Sequence, residues 1–123
     1  MDVTRKLVVI GLLLLATLAT GFWRGNAGNQ VLPGLVHKLL AVAWAILTGI
    51  LVYHSARQVE SRAAFYAAVA VLAVSIVALF WTGSLQITPH HESATSLTVH
   101  RIATVFAVFA SAMVARIILL SKP

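Results

Sequence analysis

The sequence predicts an all-helical integral membrane protein, a four-helix bundle made of two repeated helical hairpins. Of its 123 residues, 60% are hydrophobic and only 10% are charged, whereas a soluble domain has about 45–50% apolar and about 25% charged residues. The apolar residues are gathered into four long stretches separated by polar, turn-forming segments. A membrane-spanning helix needs about 20 apolar residues. Four such helices use most of the chain, so we expect a single transmembrane domain over 1–123.

Each predicted span is bounded by a recognisable polar segment. Arg5 and Lys6 stand at the start of the first span, and the turn-rich segment 25–30 follows it. The polar segment 55–62 is short enough for a tight hairpin between the second and third spans. Turn residues at 88–93 separate the third span from the fourth. The predicted spans are approximately 5–24, 35–56, 63–85 and 97–120.

The distribution of basic residues predicts the orientation in the membrane. The net charge is +6, and in a chain this apolar we interpret it as a topology signal beside anionic lipids, with no nucleic-acid partner. Six basic residues lie on the side of the termini and three on the other. This bias predicts cytoplasmic termini in a plasma or bacterial inner membrane. The alternative is that the first stretch is a signal peptide, with cleavage near Ala19.

Composition also excludes several kinds of chemistry. The chain has no cysteine, which excludes disulfides, iron–sulfur clusters, thiolate zinc sites and covalent c-type haem. The three acidic residues, Asp2, Glu60 and Glu92, fall at an end or in a loop. An ion-coupled transporter places carboxylates within its spans, so that class is disfavoured.

A short repeat relates the two halves of the chain. The first half reads apolar span, Phe22-Trp23, polar loop, then Val36-His37-Lys38-Leu39 at the start of a span. The second half reads apolar span, Phe80-Trp81, polar loop, then Val99-His100-Arg101-Ile102. Two hairpins packed about a pseudo-twofold axis would bring His37 and His100 to the same depth, near the outer face.

The helix faces that carry these histidines are mostly small or weakly polar. At about 100° per residue, positions +4 and +11 from a histidine lie near its own face. This face could serve plain helix packing or flank a flat, bulky cofactor. Under the cofactor interpretation, the candidate binding residues on it are Ala41, Thr48, Thr104 and Ser111.

Three interpretations of the His37 and His100 pair remain open. The two residues could be the axial ligands of one haem b, a polar pair at the membrane interface, or ligands of another metal. Lys38 and Arg101 follow the two histidines and could bind haem propionates. Their alternative role is to extend towards the lipid headgroups.

These strings of residues resemble a known family. Four helices with His-base pairs, Val36-His37-Lys38-Leu39-Leu40-Ala41 and Val99-His100-Arg101-Ile102-Ala103, resemble transmembrane b-type cytochromes of the cytochrome b561 type. A weaker resemblance links the chain to one half of haem A synthase. The resemblance implies haem held by paired histidines and membrane electron transfer, commonly from a quinol or ascorbate. The chain would then be an oxidoreductase linked to the quinol pool.

The remaining histidines limit the number of haems. His54 lies 17 residues after His37, about 25 Å along the helix and about 100° away around it, so it faces elsewhere. No histidine in the first or third span could pair with it, and we expect one haem per chain. His90 and His91 fall in the loop beside Glu92, where they could be solvated, contact a ligand, accept a proton or bind a metal.

We therefore expect a cytochrome that carries electrons between the quinol pool and an extracytoplasmic acceptor, alone, as a homo-oligomer or within a larger complex. Two alternatives remain. A haem-free membrane subunit would act as scaffold or regulator of a larger complex and would tolerate alanine at both histidines. A copper or zinc protein would use His90, His91 and His100 and would show no haem spectrum.

Overall fold

The computed structural model describes residues 2–27, 30–83 and 94–121. Within these ranges the chain forms four α-helices: α1 (Val3–Gly25), α2 (Val31–Ser55), α3 (Arg62–Gly83) and α4 (Ala94–Leu120). All four are long and apolar enough to cross a membrane. The predicted fold class, an all-helical four-helix bundle, is confirmed.

Side chains close both ends of α1. The Asp2 carboxylate accepts a hydrogen bond of 2.8 Å from the backbone N–H of Arg5, which satisfies one of the four free N–H groups at a helix start. At the other end, the side-chain amide of Asn26 donates to the carbonyl of Phe22 at 2.9 Å. Polar residues flanking the apolar run therefore determine where this helix begins and ends.

The second helix begins four residues before its predicted bound. It starts at Val31 and includes Pro33 and Gly34, two turn-forming residues that precede the predicted span 35–56. Proline is tolerated in the first turn because the N–H that it lacks has no helical acceptor there. The predicted loop at 88–93 lies outside the described residues.

The helices of each hairpin pack closely against each other, α1 with α2 and α3 with α4, and the two hairpins meet mainly through α1 and α4. The core includes Phe65, whose side chain is fully buried, and Trp44, which is 2% exposed. We call the end of the bundle where α2 and α4 begin the histidine end. The opposite end, where residues 56–61 join α2 to α3, is the connection end.

Large apolar side chains cover the outside of the bundle. Leu12, Leu15, Phe109 and Trp81 are each more than 60% exposed, and every helix contributes such residues. A water-soluble protein rarely exposes an apolar surface this extensive. In a bilayer the same residues contact lipid chains, so the surface is compatible with an integral membrane protein.

Candidate functional site

The two histidines of the repeat line one cavity between the hairpins. His37 lies in the second turn of α2 and His100 in the second turn of α4. The cavity, which we call the histidine cavity, has a volume of about 80 Å³ and is partly open to the outside. All four helices contribute to its wall. The fold thus places one imidazole from each hairpin beside a shared space.

His37 is oriented by α1, the other helix of its hairpin. Its Nδ1 lies 2.8 Å from the carbonyl oxygen of Thr17 and 3.2 Å from the hydroxyl of Thr20. A carbonyl oxygen can only accept a hydrogen bond, so Nδ1 carries the hydrogen and donates it. In the neutral ring, the lone pair available to a metal is then on Nε2.

His100 is oriented by α3 in the same way. Its Nδ1 lies 2.9 Å from Oγ1 of Thr82. That hydroxyl donates its own hydrogen to the carbonyl of Ala78 at 2.7 Å, so it accepts from His100. Nδ1 of this ring also carries the hydrogen, and Nε2 of the neutral ring has the lone pair. Such a hydrogen bond to the second nitrogen is typical of histidines that ligate metals.

A glycine beside each imidazole leaves room for the ring. A Cβ atom added at Gly21 would lie 3.2 Å from Cε1 of His37, and one at Gly83 would lie 3.0 Å from Cε1 of His100. Both distances are shorter than ordinary carbon–carbon contacts of about 3.5–4.0 Å. Each hairpin therefore places a Thr-Gly pair against its histidine, with threonine holding the ring and glycine admitting it.

The wall of the histidine cavity is apolar except at a few positions. Two cationic residues contribute to it, Lys38 and the buried Arg24. The only carboxylates among the described residues, Asp2 and Glu60, lie at the connection end. An anionic group bound in this cavity would meet two positive charges and no described negative one.

The sequence-predicted site residues separate into two groups. The histidine cavity brings together His37, Lys38, Ala41, His100 and Thr104. The other three residues lie elsewhere. Arg101 is exposed and does not line this cavity, and Thr48 and Ser111 line a second cavity nearer the connection end. Thr48 and Ser111 each follow the histidine of their own helix by 11 residues, which places them about 16 Å further along the helices.

The Thr-Gly pairs are the functional feature that sequence reasoning missed. Thr20-Gly21 precedes Phe22-Trp23, whereas Thr82-Gly83 follows Phe80-Trp81. When the two halves are aligned on their Phe-Trp pairs, the two threonines therefore do not fall at equivalent positions. Measured to the histidine, the threonine spacing is 17 residues in the first hairpin and 18 in the second. This near-equal spacing is the sequence feature that could have identified the two threonines.

The remaining histidines lie away from the cavity or outside the described residues. His54 is exposed at the connection end and packs edge-on against Tyr53, with ring centroids 5.5 Å apart. His90 and His91 fall outside the described residues. Across residues 2–27, 30–83 and 94–121, no cluster of three or more histidine, cysteine or acidic side chains could hold a metal ion.

Comparison with known proteins adds no relative. No known family, curated protein or solved structure matches this chain. The side chains of the histidine cavity are therefore the guide to function.

Proposed function

We propose that this protein is a membrane b-type cytochrome, with one haem between the hairpins held by His37 and His100. The observation that carries the proposal is that both imidazoles line one cavity while their Nδ1 atoms donate to α1 and α3. A haem iron can be held by two histidines. Two histidines on facing hairpins supply that number, whereas closed zinc sites use four protein ligands.

The residues of the histidine cavity fit a haem in their chemistry. Small side chains, Ala41, Thr104 and Ala107, line it beside the histidines, which suits a flat macrocycle. The rest of the wall is almost entirely apolar, as haem edges require. Lys38 and Arg24 would bind the two anionic propionates. Gly83, which is buried, lines the cavity where any larger residue would press on His100.

When bound, a haem with two histidine ligands supplies one-electron redox chemistry. The residues of this chain have supporting roles. Thr17, Thr20 and Thr82 hold the rings and keep Nδ1 protonated, so that Nε2 is the ligating atom. The apolar wall limits the access of water, and the cations offset the propionate charge. Because both axial positions would be filled by protein, the arrangement favours electron relay over binding of a gaseous ligand.

The distribution of basic residues indicates on which side of the membrane the haem would lie. The excess of basic residues on the side of the termini favours a cytoplasmic connection end and an extracytoplasmic histidine end. The haem would then exchange electrons between the quinol pool and an extracytoplasmic acceptor. The bilayer in question would be a bacterial inner membrane or a plasma membrane.

The decisive experiment is an oxidised-minus-reduced visible spectrum of the detergent-purified protein from haem-replete cells. We expect a sharp low-spin α band and about one haem per chain. His37→Ala and His100→Ala should each abolish the band. His54→Ala is the matched control, because that exposed ring lies at the connection end, and its spectrum should be unchanged.

A colourless wild-type protein would overturn the cytochrome proposal. A spectrum that survives either cavity substitution would overturn the ligand assignment. Circular dichroism of each variant should show unchanged helix content, so that loss of haem is not confused with loss of the fold.

A further inference from the structure

A second cavity lies along the bundle on the connection side of the histidine cavity. We call it the hydroxyl cavity because Thr48 and Ser111 line it. Its volume is about 210 Å³, and its wall is otherwise almost entirely apolar, with residues from all four helices. Leu14 and Trp44 line both cavities. These two side chains therefore lie between the two cavities.

Three residues that line this cavity each have a buried polar atom without a hydrogen-bond partner among the described residues. These atoms are Nε1 of Trp44, Oγ1 of Thr48 and Oγ of Ser111. The side chains of Trp44 and Thr48 are 2% and 7% exposed, so neither can turn to solvent. Buried polar groups are almost always hydrogen-bonded in folded proteins. Three unsatisfied groups around one cavity therefore indicate a polar ligand.

The two hydroxyls differ from other hydroxyls of the bundle. A helical serine or threonine can donate to the carbonyl four residues back. Residues that do so include Thr17, Thr20, Ser75, Thr82, Thr104 and Ser121. Thr48 and Ser111 make no such bond. Their hydroxyl hydrogens therefore have no acceptor among the described residues.

The repeat relates these two residues to each other. Thr48 follows His37 by 11 residues, and Ser111 follows His100 by 11 residues. Each hairpin thus contributes one hydroxyl at the same register. The second hairpin has Ala107 where the first has Trp44, seven residues after the histidine, so one side of the site has a flat indole and the other a small side chain.

We propose that the hydroxyl cavity binds the head group of a lipid-soluble quinone. A quinone ring is flat and apolar, and its two carbonyl oxygens only accept hydrogen bonds. The cavity offers the complement, with one indole N–H and two hydroxyls as donors in an apolar wall. A ligand of this kind reaches the site from the bilayer. The role of the quinone as redox partner rests on the proposed function, whereas its binding does not require haem.

The test is equilibrium binding of ubiquinone-1 to the detergent-purified full-length chain, measured by isothermal titration calorimetry. We expect saturable binding to the wild type. In the double variant Thr48→Val/Ser111→Ala, which removes both hydroxyls and keeps similar volumes, we expect affinity at least tenfold lower. Ser75→Ala is the matched control, because that buried hydroxyl already donates to Val71 and does not line the cavity.

A spectroscopic measurement separates hydrogen bonding from packing. The infrared carbonyl stretch of bound ubiquinone-1 should lie at lower frequency in the wild type than in Trp44→Phe, which removes the N–H and retains an aromatic ring. No saturable binding to the wild type would overturn the proposal and leave water as the occupant. Equal affinity in the wild type and the double variant would overturn it as well.

The two proposals fail in different ways. Ubiquinone-1 binding by a colourless protein would support the hydroxyl cavity as a quinone site and overturn the cytochrome. A haem spectrum in a protein that does not bind ubiquinone-1 would support the cytochrome and overturn the quinone site.

Discussion

Nδ1 of His37 lies 2.8 Å from the carbonyl oxygen of Thr17, a residue 20 positions earlier in the chain and on the neighbouring helix. No side-chain substitution removes this carbonyl acceptor. The equivalent acceptor for His100 is a side chain, the Thr82 hydroxyl at 2.9 Å. The first half of the site therefore includes a backbone acceptor that mutation cannot remove, and the second half includes a side-chain acceptor that mutation can remove.

This difference predicts unequal effects of two matched substitutions. Thr82→Val should lower haem affinity by about 10- to 100-fold, the usual effect of deleting a hydrogen bond to a ligating histidine. Thr20→Val should have a smaller effect, since the Thr17 carbonyl still accepts from His37. Haem transfer to apomyoglobin would measure both affinities. Equal losses in the two variants would contradict the assigned roles.

Gly83→Ala should displace the imidazole of His100. The added Cβ would lie 3.0 Å from Cε1, and the clash would lower haem occupancy and broaden the low-spin signals in electron paramagnetic resonance. Gly49→Ala is the control, because a Cβ there meets nothing within 4 Å. That substitution should leave the spectrum unchanged and stabilise α2 by up to about 1 kcal/mol.

Replacing Lys38 by glutamine should lower the midpoint potential of the haem. Reduction adds a negative charge, and a cation in the cavity wall favours the reduced form. Its removal should shift the potential downwards by an amount on the order of tens of millivolts. Potentiometric titration measures the shift. Lys6→Gln removes a charge from the connection end and should leave the potential unchanged, so an equal shift there would exclude a local effect of Lys38.

Phe65→Ala should destabilise the bundle more than Phe109→Ala. Phe65 is fully buried, whereas Phe109 is 70% exposed. Removing the buried ring leaves a cavity and loses packing contacts, at a cost of about 3–5 kcal/mol, while the exposed ring contacts lipid in both the native and the unfolded state. Unfolding in mixed detergent micelles, followed by circular dichroism, would compare the two. Similar midpoints would show that Phe65 contributes no packing energy.

Much of this structure could be predicted from the sequence, because long apolar runs in a small chain have few arrangements. The four helices follow from hydropathy alone, and the 3.6-residue period places Ala41 and Thr104 on the faces of their histidines. The start of α2 was predicted too late, since Pro33 and Gly34 indicate a loop unless the tolerance of a first helical turn is considered.

The hydrogen bonds of the site could not be predicted in the same way. They join residues 17 to 20 positions apart, and such contacts depend on how two helices are rotated against each other. Periodicity gives the face of one helix but not the residue opposite it. For the same reason, the sequence placed Thr48 and Ser111 on the histidine face without showing that they line a separate cavity.

Each histidine takes its orientation from its own hairpin, through α1 for His37 and α3 for His100, and the hairpins meet mainly through α1 and α4. During biogenesis, each half can therefore enter the membrane with its ring already aligned. Docking of the halves then forms the cavity, so a ligand that spans it adds its binding energy to the association of the hairpins. Assembly of the bundle and capture of the ligand become a single coupled equilibrium.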